Sequence, residues 1–171
     1  GTLQVAESLQ PPPRQRHFGR TPRPHDPTTW LSRDLLTRIG TVFQHPEHQF
    51  VAATVRDELA VGLHALEWDQ RRVAERVDEL LTLLHLEALT GANPFSLSGG
   101  EKRRLSVGTV LATGPQLIFL DEPTFGQDRR TWIDLVRLIA TILHEGRAVV
   151  SVTHDGHYLD VLAHQRIELG P

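Results

Sequence analysis

Short apolar runs alternate with predicted helices through the second half of the chain. A run of four apolar residues at 117–120, bounded on both sides by proline, predicts a buried parallel strand. A helix is predicted over 130–145 and a second apolar strand over 148–153. A short helix and a strand over 166–169 complete the pattern. This alternation of strand and helix predicts an α/β layered fold.

The first half of the chain combines one apolar strand with a run of helices. The strand covers 39–43 and ends at Gln44. A threonine cap and early acidic residues predict a helix over 54–63, and apolar residues on one helical face predict another over 69–86. A further helix begins near Gly99. The middle of the chain is therefore expected to be helical.

Composition is ordinary for a globular protein and argues against two kinds of function. Hydrophobic residues make up 39% and charged residues 23% of the 171 residues, and the formal net charge is −3, so no broad basic surface for nucleic acid is expected. No apolar run is long enough to span a membrane. The chain has no cysteine for a disulfide or a thiolate metal site. It also has no methionine, and since an open reading frame starts with Met, we expect a piece of a longer protein.

Two acidic residues follow the predicted strand at 117–120. Asp121 stands at the C-terminal end of the strand, where a carboxylate can hold Mg²⁺ beside nucleotide phosphates. Glu122 comes one residue later, where it can act on a water that attacks the terminal phosphate. This is the Walker B arrangement. Taken alone, the pattern fits equally well to two acids at a solvated strand end.

A second motif, Leu-Ser-Gly-Gly-Glu at 97–101, stands where the helix near Gly99 begins. Glycines let backbone N–H groups approach an anion closely, and a helix N-terminus favours negative charge. The alternative is that Ser98 is an ordinary helix N-cap. With the full motif standing ahead of an apolar strand, the chain resembles the ABC ATPase family, whose signature motif is LSGGQ or LSGGE.

The resemblance implies a fold and a nucleotide chemistry. The fold is α/β, with a P-loop NTPase-like parallel-sheet core and an inserted helical subdomain. The implied cofactors are ATP and Mg²⁺, with Asp121 and Gln44 as the metal ligands. Gln44 matches the Q-loop glutamine, and His154, in Val-Thr-His-Asp, matches the switch histidine near the terminal phosphate. Glu122, His154 and Gln44 are therefore the implied catalytic residues.

Other residues match motifs that act on the nucleotide of a neighbouring domain. In the signature these are Ser98, Gly99, Gly100 and Glu101. Asp128 ends Thr-Phe-Gly-Gln-Asp at the D-loop position, where the family more often has Ser or Ala, then Gly-Leu-Asp. The family works as a two-fold dimer in which one subunit's phosphate loop meets the other's signature. The resemblance thus implies a second ABC ATPase domain as partner, in a homodimer, a heterodimer or a tandem half.

A finer resemblance concerns the stretch 42–50 and the Thr-Val-Arg-Asp-Glu-Leu that starts at Thr54. Both are similar to the ATPases of energy-coupling factor transporters, which take up B vitamins, their precursors, or cobalt and nickel ions. Residues 102–107 are similar to the second half of tandem two-ATPase subunits in that group. The implied setting is the cytoplasmic face of a bacterial membrane, with integral membrane transport subunits as partners and no nucleic acid. Phe50 and Val51 are candidate contacts for a membrane subunit.

The phosphate-binding motif G-x-x-x-x-G-K-[ST] does not occur in these 171 residues, whose single lysine is Lys102. By the family pattern we expect this Walker A loop upstream of Gly1, which makes the N-terminal part of the domain missing and the chain alone inactive.

The resemblance divides the chain into three parts. Residues 1–44 are predicted to be the remnant of a β-rich N-terminal part with a proline-rich loop. Residues 45–112 are the helical subdomain with the Q-loop and signature, and 113–171 hold the Walker B, D-loop and switch-histidine core. A soluble ABC ATPase acting on DNA or ribosomes is an alternative, although only 52 residues separate Gln44 from Leu97. A non-catalytic remnant that binds a partner is another.

Overall fold

The structure, a computed structural model, describes residues 5–12 and 23–168. The helices and strands, in chain order, are α1 (Ser32–Leu36), β1 (Ile39–Val42), α2 (Val55–Ala65), α3 (Gln70–Leu83), α4 (Gly99–Ala112), β2 (Leu117–Asp121), α5 (Arg129–His144), β3 (Ala148–Val152) and α6 (Gly156–Leu162). Apart from a strand predicted over 166–169, the elements predicted with bounds agree with these to within three residues, and α1 is not among the predicted elements. The strand predicted over 166–169 is wrong for 166–168, which have no regular structure, and Leu169 lies outside the described residues.

The three described strands form one parallel sheet in the order β1-β2-β3. Val42 pairs with Leu120, and Asp121 pairs with Val152. Because parallel strands all end at the same edge, the residues that follow β1, β2 and β3 meet there. The structure confirms the predicted α/β fold with a parallel-sheet core.

Three helices pack together beside the sheet and account for much of the core. Leu59 of α2, Leu80 of α3 and Leu105 of α4 are fully buried. Gly108 permits this packing, because a Cβ there would overlap Leu84 and lie 2.9 Å from Leu59 Cδ2. The helices are therefore held by close apolar contact. The division of the chain at 44/45 and 112/113 stays a prediction.

Each of the four long helices, α2, α3, α4 and α5, begins directly after a capping side chain. The Thr54 side chain accepts a hydrogen bond from Asp57 N, and the Asp69 side chain accepts one from Arg72 N. Helix α4 begins after Ser98 in a capping box. Within the described ranges, no helix is both long and apolar enough to cross a membrane.

The sheet is covered on one face and open on the other. Ile118 and Leu120 of β2 are buried in the core that also contains Leu135 of α5. Phe119 and its register partner Val150 point away from this core and are exposed. The strand predicted at 117–120 is therefore present, but the expectation that it is buried throughout is wrong for Phe119.

Candidate functional site

Glu122 has the left-handed backbone conformation, with φ of 44°. That conformation is unfavourable for a residue with a Cβ and persists only where surrounding contacts hold it. Its N–H donates to Val152 O (2.9 Å) and its carbonyl accepts from Phe125 N (3.2 Å). The chain thus turns sharply at the end of β2, because Pro123 follows and cannot continue the strand.

The turn places the Glu122 carboxylate against the residues that follow β3. His154 Nδ1 lies 2.7 Å from Glu122 Oε1, and Thr153 Oγ1 donates to Glu122 Oε2 (3.2 Å). The Glu122 side chain is 16% exposed while that of His154 is 77% exposed. Two residues predicted from separate motifs are therefore hydrogen-bonded, with one carboxylate largely sheltered and the imidazole open to a ligand.

Asp121 lies at the C-terminal end of β2 with its side chain exposed. In the part of the chain that the structure describes, no three or more His, Cys, Asp or Glu side chains are grouped so that they could hold a metal ion by themselves. The exposed Asp121 carboxylate suits Mg²⁺, which binds through one or two carboxylates and completes its octahedron with water and substrate phosphates.

The backbone of Gln44 is held at the same edge by Arg103, a residue that the sequence motifs do not predict. Arg103 Nη2 donates to Gln44 O (2.8 Å) and to Glu122 O (3.3 Å), while Nη1 donates to Phe43 O (2.7 Å). One guanidinium thus joins the segments that carry two predicted catalytic residues. A signal was available, since Arg103 lies one helical turn before buried Val107 and so faces the core.

The signature residues begin α4 with a capping box. Glu101 Oε2 accepts from both Ser98 N (2.8 Å) and Ser98 Oγ (2.7 Å). Hydrogen bonds from Ser98 hold the pKa of the Glu101 carboxyl below its usual value. Ser98 is thus the N-cap of α4, as the alternative interpretation predicted. Its contact with the nucleotide of a neighbouring domain stays a prediction.

The two signature glycines differ in their surroundings. A Cβ on Gly100 would lie 2.7 Å from Thr131 Cγ2, so the start of α4 approaches the start of α5 too closely for a side chain. A Cβ on Gly99 would meet nothing within 4 Å. Gly99 therefore leaves backbone open to a ligand, whereas Gly100 has a packing reason for being glycine.

Asp128 caps α5 in this structure. Its carboxylate accepts from Arg130 N (2.9 Å), Thr131 N (3.1 Å) and Thr131 Oγ1 (2.9 Å). The bond from the Thr131 amide contributes most to lowering the pKa of Asp128. The carboxylate is accordingly engaged within its own chain, and its predicted contact with a nucleotide stays a prediction.

Asp155 joins the switch-histidine segment to the D-loop and to α5. Its Oδ2 accepts from Thr124 Oγ1 (2.8 Å) and Trp132 Nε1 (2.7 Å), and its Oδ1 accepts from Tyr158 N (3.1 Å). Burial disfavours the ionised form of Asp155, but the bonds from Trp132, Tyr158 and Thr124 outweigh it and lower its pKa. In the sequence, Asp155 is recognisable only as part of the Val-Thr-His-Asp motif.

We expect Asp155→Asn to lower the free energy of unfolding by about 1 to 3 kcal/mol at pH 6, because it weakens hydrogen bonds to a charged acceptor. The folded-state pKa lies below the ordinary 3.8. The stabilisation by the Asp155 charge is therefore complete above pH 3.8, the ordinary pKa, and is lost as the pH falls through the lower folded-state pKa. Urea unfolding of both proteins between pH 6 and pH 3 measures this difference.

The matched control for that measurement is Asp160→Asn, an exposed α6 carboxylate paired with Arg166 at 2.7 Å. It should change stability by less than about 0.5 kcal/mol. A difference between wild type and Asp155→Asn that stays constant down to pH 3 would show that the Asp155 charge is not linked to folding.

Comparison with known proteins supports one family. A family model described as ABC transporter matches residues 19–125. A putative HMP/thiamine import ATP-binding protein from Bacillus subtilis is 45% identical over 74% of this chain and 22% of its own length. An energy-coupling factor transporter ATP-binding protein from Methanoculleus marisnigri is 41% identical over 77% of this chain and 47% of its own length. The chain thus spans half or less of these relatives.

Solved structures agree with the sequence comparison. A protein from Clostridium perfringens, described as part of the ABC transporter complex cbiONQ, superposes with a TM-score of 0.67 at 27% identity. The match covers 81% of this chain and 54% of that one. An ATP-binding cassette dimer bound to ADP and Pi also gives a TM-score of 0.67, at 26% identity over 76% of this chain and 58% of that one. With the sheet edge, the signature helix and the histidine contact all in place, the chain belongs to the ABC transporter family.

Proposed function

We propose that this chain is part of an ATP-hydrolysing subunit of an energy-coupling factor type importer, which drives uptake of a small nutrient. The observation that carries the proposal is the 2.7 Å contact between Glu122 and His154 beside Asp121. Asp121 and Glu122, which are adjacent at the end of β2, thus provide a metal ligand and a base, and His154, which follows β3, provides a polarising imidazole. This set of groups is suited to phosphoryl transfer to water.

Asp121 and Gln44 are the proposed ligands of Mg²⁺. Both lie at the C-terminal edge of the sheet, since Asp121 is the last residue of β2 and Gln44 follows the end of β1. When bound, Mg²⁺ with ATP supplies charge neutralisation across the phosphates. Asp121 is exposed, so it needs no rearrangement of the core to meet a ligand.

Glu122 is the proposed general base. Its carboxylate is largely sheltered from solvent, fixed on one oxygen by Thr153 and on the other by His154. A fixed carboxylate at this position can accept a proton from an attacking water. His154 contacts the base with Nδ1 and leaves the rest of its ring exposed, so it can orient the base and meet a phosphate oxygen together. Gln44 would orient the water from the neighbouring strand.

The signature acts in trans under this proposal. Ser98, Gly99, Gly100 and Glu101 begin α4, a helix of 14 residues whose N-terminus favours an anion. Asp128 begins α5, which α4 approaches at Gly100 and Thr131. A second ATPase domain, in a two-fold dimer or a tandem half, would supply the nucleotide that these residues meet.

The setting is proposed to be peripheral, at the cytoplasmic face of a bacterial membrane. The names of the Bacillus subtilis and Methanoculleus marisnigri relatives, an import protein and an energy-coupling factor transporter protein, support the importer assignment. A vitamin, a vitamin precursor or a metal ion is the proposed class of nutrient. Membrane transport subunits are the proposed partners.

Nucleotide binding tests the proposal in two proteins. The first is the 171-residue chain, which has no phosphate loop in its sequence and should bind Mg-ATP with Kd no tighter than about 1 mM, without turnover. The second, here named the loop-completed protein, has an ABC ATPase strand and loop bearing G-x-x-x-x-G-K-[ST] joined ahead of residue 1. It should bind at micromolar Kd by calorimetry and hydrolyse ATP.

Three outcomes would change the conclusion. Micromolar binding by the 171-residue chain would show that its site does not depend on the absent loop. Binding without hydrolysis by the loop-completed protein would favour a non-catalytic binding module. Hydrolysis stimulated by DNA or ribosomes, and not by membrane subunits, would favour the soluble ATPase. A Lys→Ala change in the added loop is the control, and it should abolish binding.

The membrane contact is expected at Val51 and not at Phe50. Phe50 is 6% exposed and belongs to the core, whereas Val51 is 76% exposed. Buried Glu58 accepts from Val51 N (2.8 Å) and Ala52 N (2.7 Å), which fixes the segment that presents Val51. The expectation that both residues contact a membrane subunit is therefore wrong for Phe50.

We predict that Val51→Glu weakens assembly with a co-expressed energy-coupling factor membrane subunit about tenfold or more, while ATP hydrolysis by the detached loop-completed protein is retained. Quantitative co-purification measures the first and phosphate release the second. The control is Val161→Glu, at an exposed apolar position on α6. Equal weakening by both variants would contradict a specific contact at Val51. Phe50→Ala should instead cost about 3 to 5 kcal/mol of stability.

A further inference from the structure

Arg103 is buried to 2% exposure, although it belongs to the charged run that follows the signature. Its guanidinium donates to three backbone carbonyls, those of Phe43 (2.7 Å), Gln44 (2.8 Å) and Glu122 (3.3 Å). These carbonyls are 60, 59 and 19 residues away along the chain. A single side chain of α4 thus holds the ends of two neighbouring strands.

Burial makes this arrangement costly, and hydrogen bonding offsets the cost. Burial lowers the pKa of the Arg103 guanidinium, while the charges of Asp121 and Glu47 act in the opposite direction. Arg103 Nε is buried and has no hydrogen-bond partner among the residues that the structure describes. A charged group in this environment is retained in place only if its bonds to the carbonyls are well formed. The planar fork of arginine can reach several acceptors at once, which a lysine ammonium on a flexible stem cannot reproduce.

The three carbonyls belong to the backbone that carries the proposed catalytic side chains. One of them is the carbonyl of Gln44 itself. Another is the carbonyl of Glu122, the residue that has φ of 44° and whose carboxylate contacts His154. A left-handed backbone needs surrounding contacts to persist. The bond from Arg103 is one such contact, and so Arg103 acts on the site through the backbone.

The other end of the connection is the signature. Arg103 lies four residues after Gly99, which is about one turn along α4. Any displacement of that first turn moves the guanidinium with it, because both belong to one rigid helix. The carbonyls of Gln44 and Glu122 would then move or lose their donor.

We propose that Arg103 is a positioning residue that links the signature end of α4 to the backbone of Gln44 and Glu122 in the same subunit. Through it, contact between the signature and a nucleotide held by the neighbouring domain is transmitted to the groups that act on water in this one. The effect on catalysis rests on the proposed function, whereas the hydrogen bonds from Arg103 to the three carbonyls lie within this chain.

Arg104 provides a matched control on the same helix. Its Nε also donates to a backbone carbonyl, that of Leu84 (2.9 Å), but Leu84 ends α3 and belongs to neither of the segments that follow β1 and β2. Arg104→Met therefore removes an arginine-to-carbonyl bond of the same kind and leaves the proposed link intact. Arg103→Met removes charge and donors, and Arg103→Lys keeps the charge without the fork.

Hydrogen exchange on the 171-residue chain, without nucleotide, tests the link. Arg103→Met should raise exchange about tenfold in the amides of 43–50 and 122–127, the loss expected for hydrogen bonds to a charged donor. Arg103→Lys should fold and show most of the same increase. Arg104→Met should raise exchange near 84–86 and leave the two segments at the sheet edge unchanged. An unchanged rate at that edge in both Arg103 variants, or a uniform rise throughout α2, α3 and α4, would overturn the proposal.

ATP hydrolysis by the loop-completed protein tests the catalytic consequence. Both Arg103 variants should lower kcat about 10- to 100-fold with KM for ATP within threefold, and Arg104→Met should change neither by more than threefold. A rise in KM with kcat unchanged would overturn the positioning role. If the loop-completed protein has no ATPase activity at all, the proposed function fails, and the exchange measurement still decides whether Arg103 holds the two segments.

Discussion

Glu122→Gln should lower kcat for ATP hydrolysis by the loop-completed protein about 10²- to 10⁴-fold, the usual contribution of a general base. Glutamine keeps the size of the side chain and can still hydrogen-bond to Thr153 and His154, which lie 3.2 and 2.7 Å from the carboxylate. It loses the basic oxygen and one negative charge beside the phosphates. ATP binding should therefore hold or tighten while the closed dimer accumulates.

Single-turnover hydrolysis and gel filtration with ATP measure the two effects. Glu145→Gln is the control, a carboxylate beyond the far end of α5 that pairs with Arg147 at 3.0 Å. It should leave kcat unchanged. If Glu122→Gln hydrolyses ATP within threefold of wild type, Glu122 is not the base, and Gln44 with His154 must orient the water without it.

Asp121→Asn should act on binding as well as on turnover. Asp121 is exposed at the end of β2 and contributes a hard oxygen ligand, so its loss weakens the metal site itself. The affinity for Mg²⁺ in the presence of ATP should fall about 10- to 100-fold or more, since changes even to residues that only support a metal ligand have effects of that size. Hydrolysis should fall with it.

Titration with Mg²⁺ at fixed ATP separates Asp121→Asn from Glu122→Gln. The first variant should need far more Mg²⁺ for binding and should recover part of its activity at high concentration. The second should bind with unchanged dependence on Mg²⁺ and recover nothing. Identical Mg²⁺ dependence in the two variants would contradict the assignment of Asp121 as the metal ligand.

The positions of the predicted site residues follow from local sequence because each one stands at the end of a strand or the start of a helix. Asp121 and Glu122 end an apolar run, and Ser98 precedes a helix that it caps. Parallel strands end at one edge, so a chain that alternates strand and helix must gather such residues there. The contact between Glu122 and His154 was therefore foreseeable as proximity, although not as a hydrogen bond.

The internal contacts of the site were not predictable in the same way. Asp155 binds Thr124 and Trp132, which are 31 and 23 residues distant along the chain, and no local pattern encodes such a pairing. Phe50 and Val51 are adjacent apolar residues of similar character. Only the packing of the core against Phe50, and the hold of Glu58 on the next two amides, buries one and exposes the other.

The sequence by itself determined the strands, the caps and the order of the motifs, because hydrophobic period and hydrogen-bonding side chains act over a few residues. The tertiary structure alone decided which three carbonyls Arg103 binds and that Glu122 adopts φ of 44°. The buried guanidinium of Arg103 and the left-handed backbone of Glu122 are both unfavourable locally, because each costs free energy. They persist because contacts between segments far apart in the sequence offset that cost, and such contacts exist only once the chain has folded.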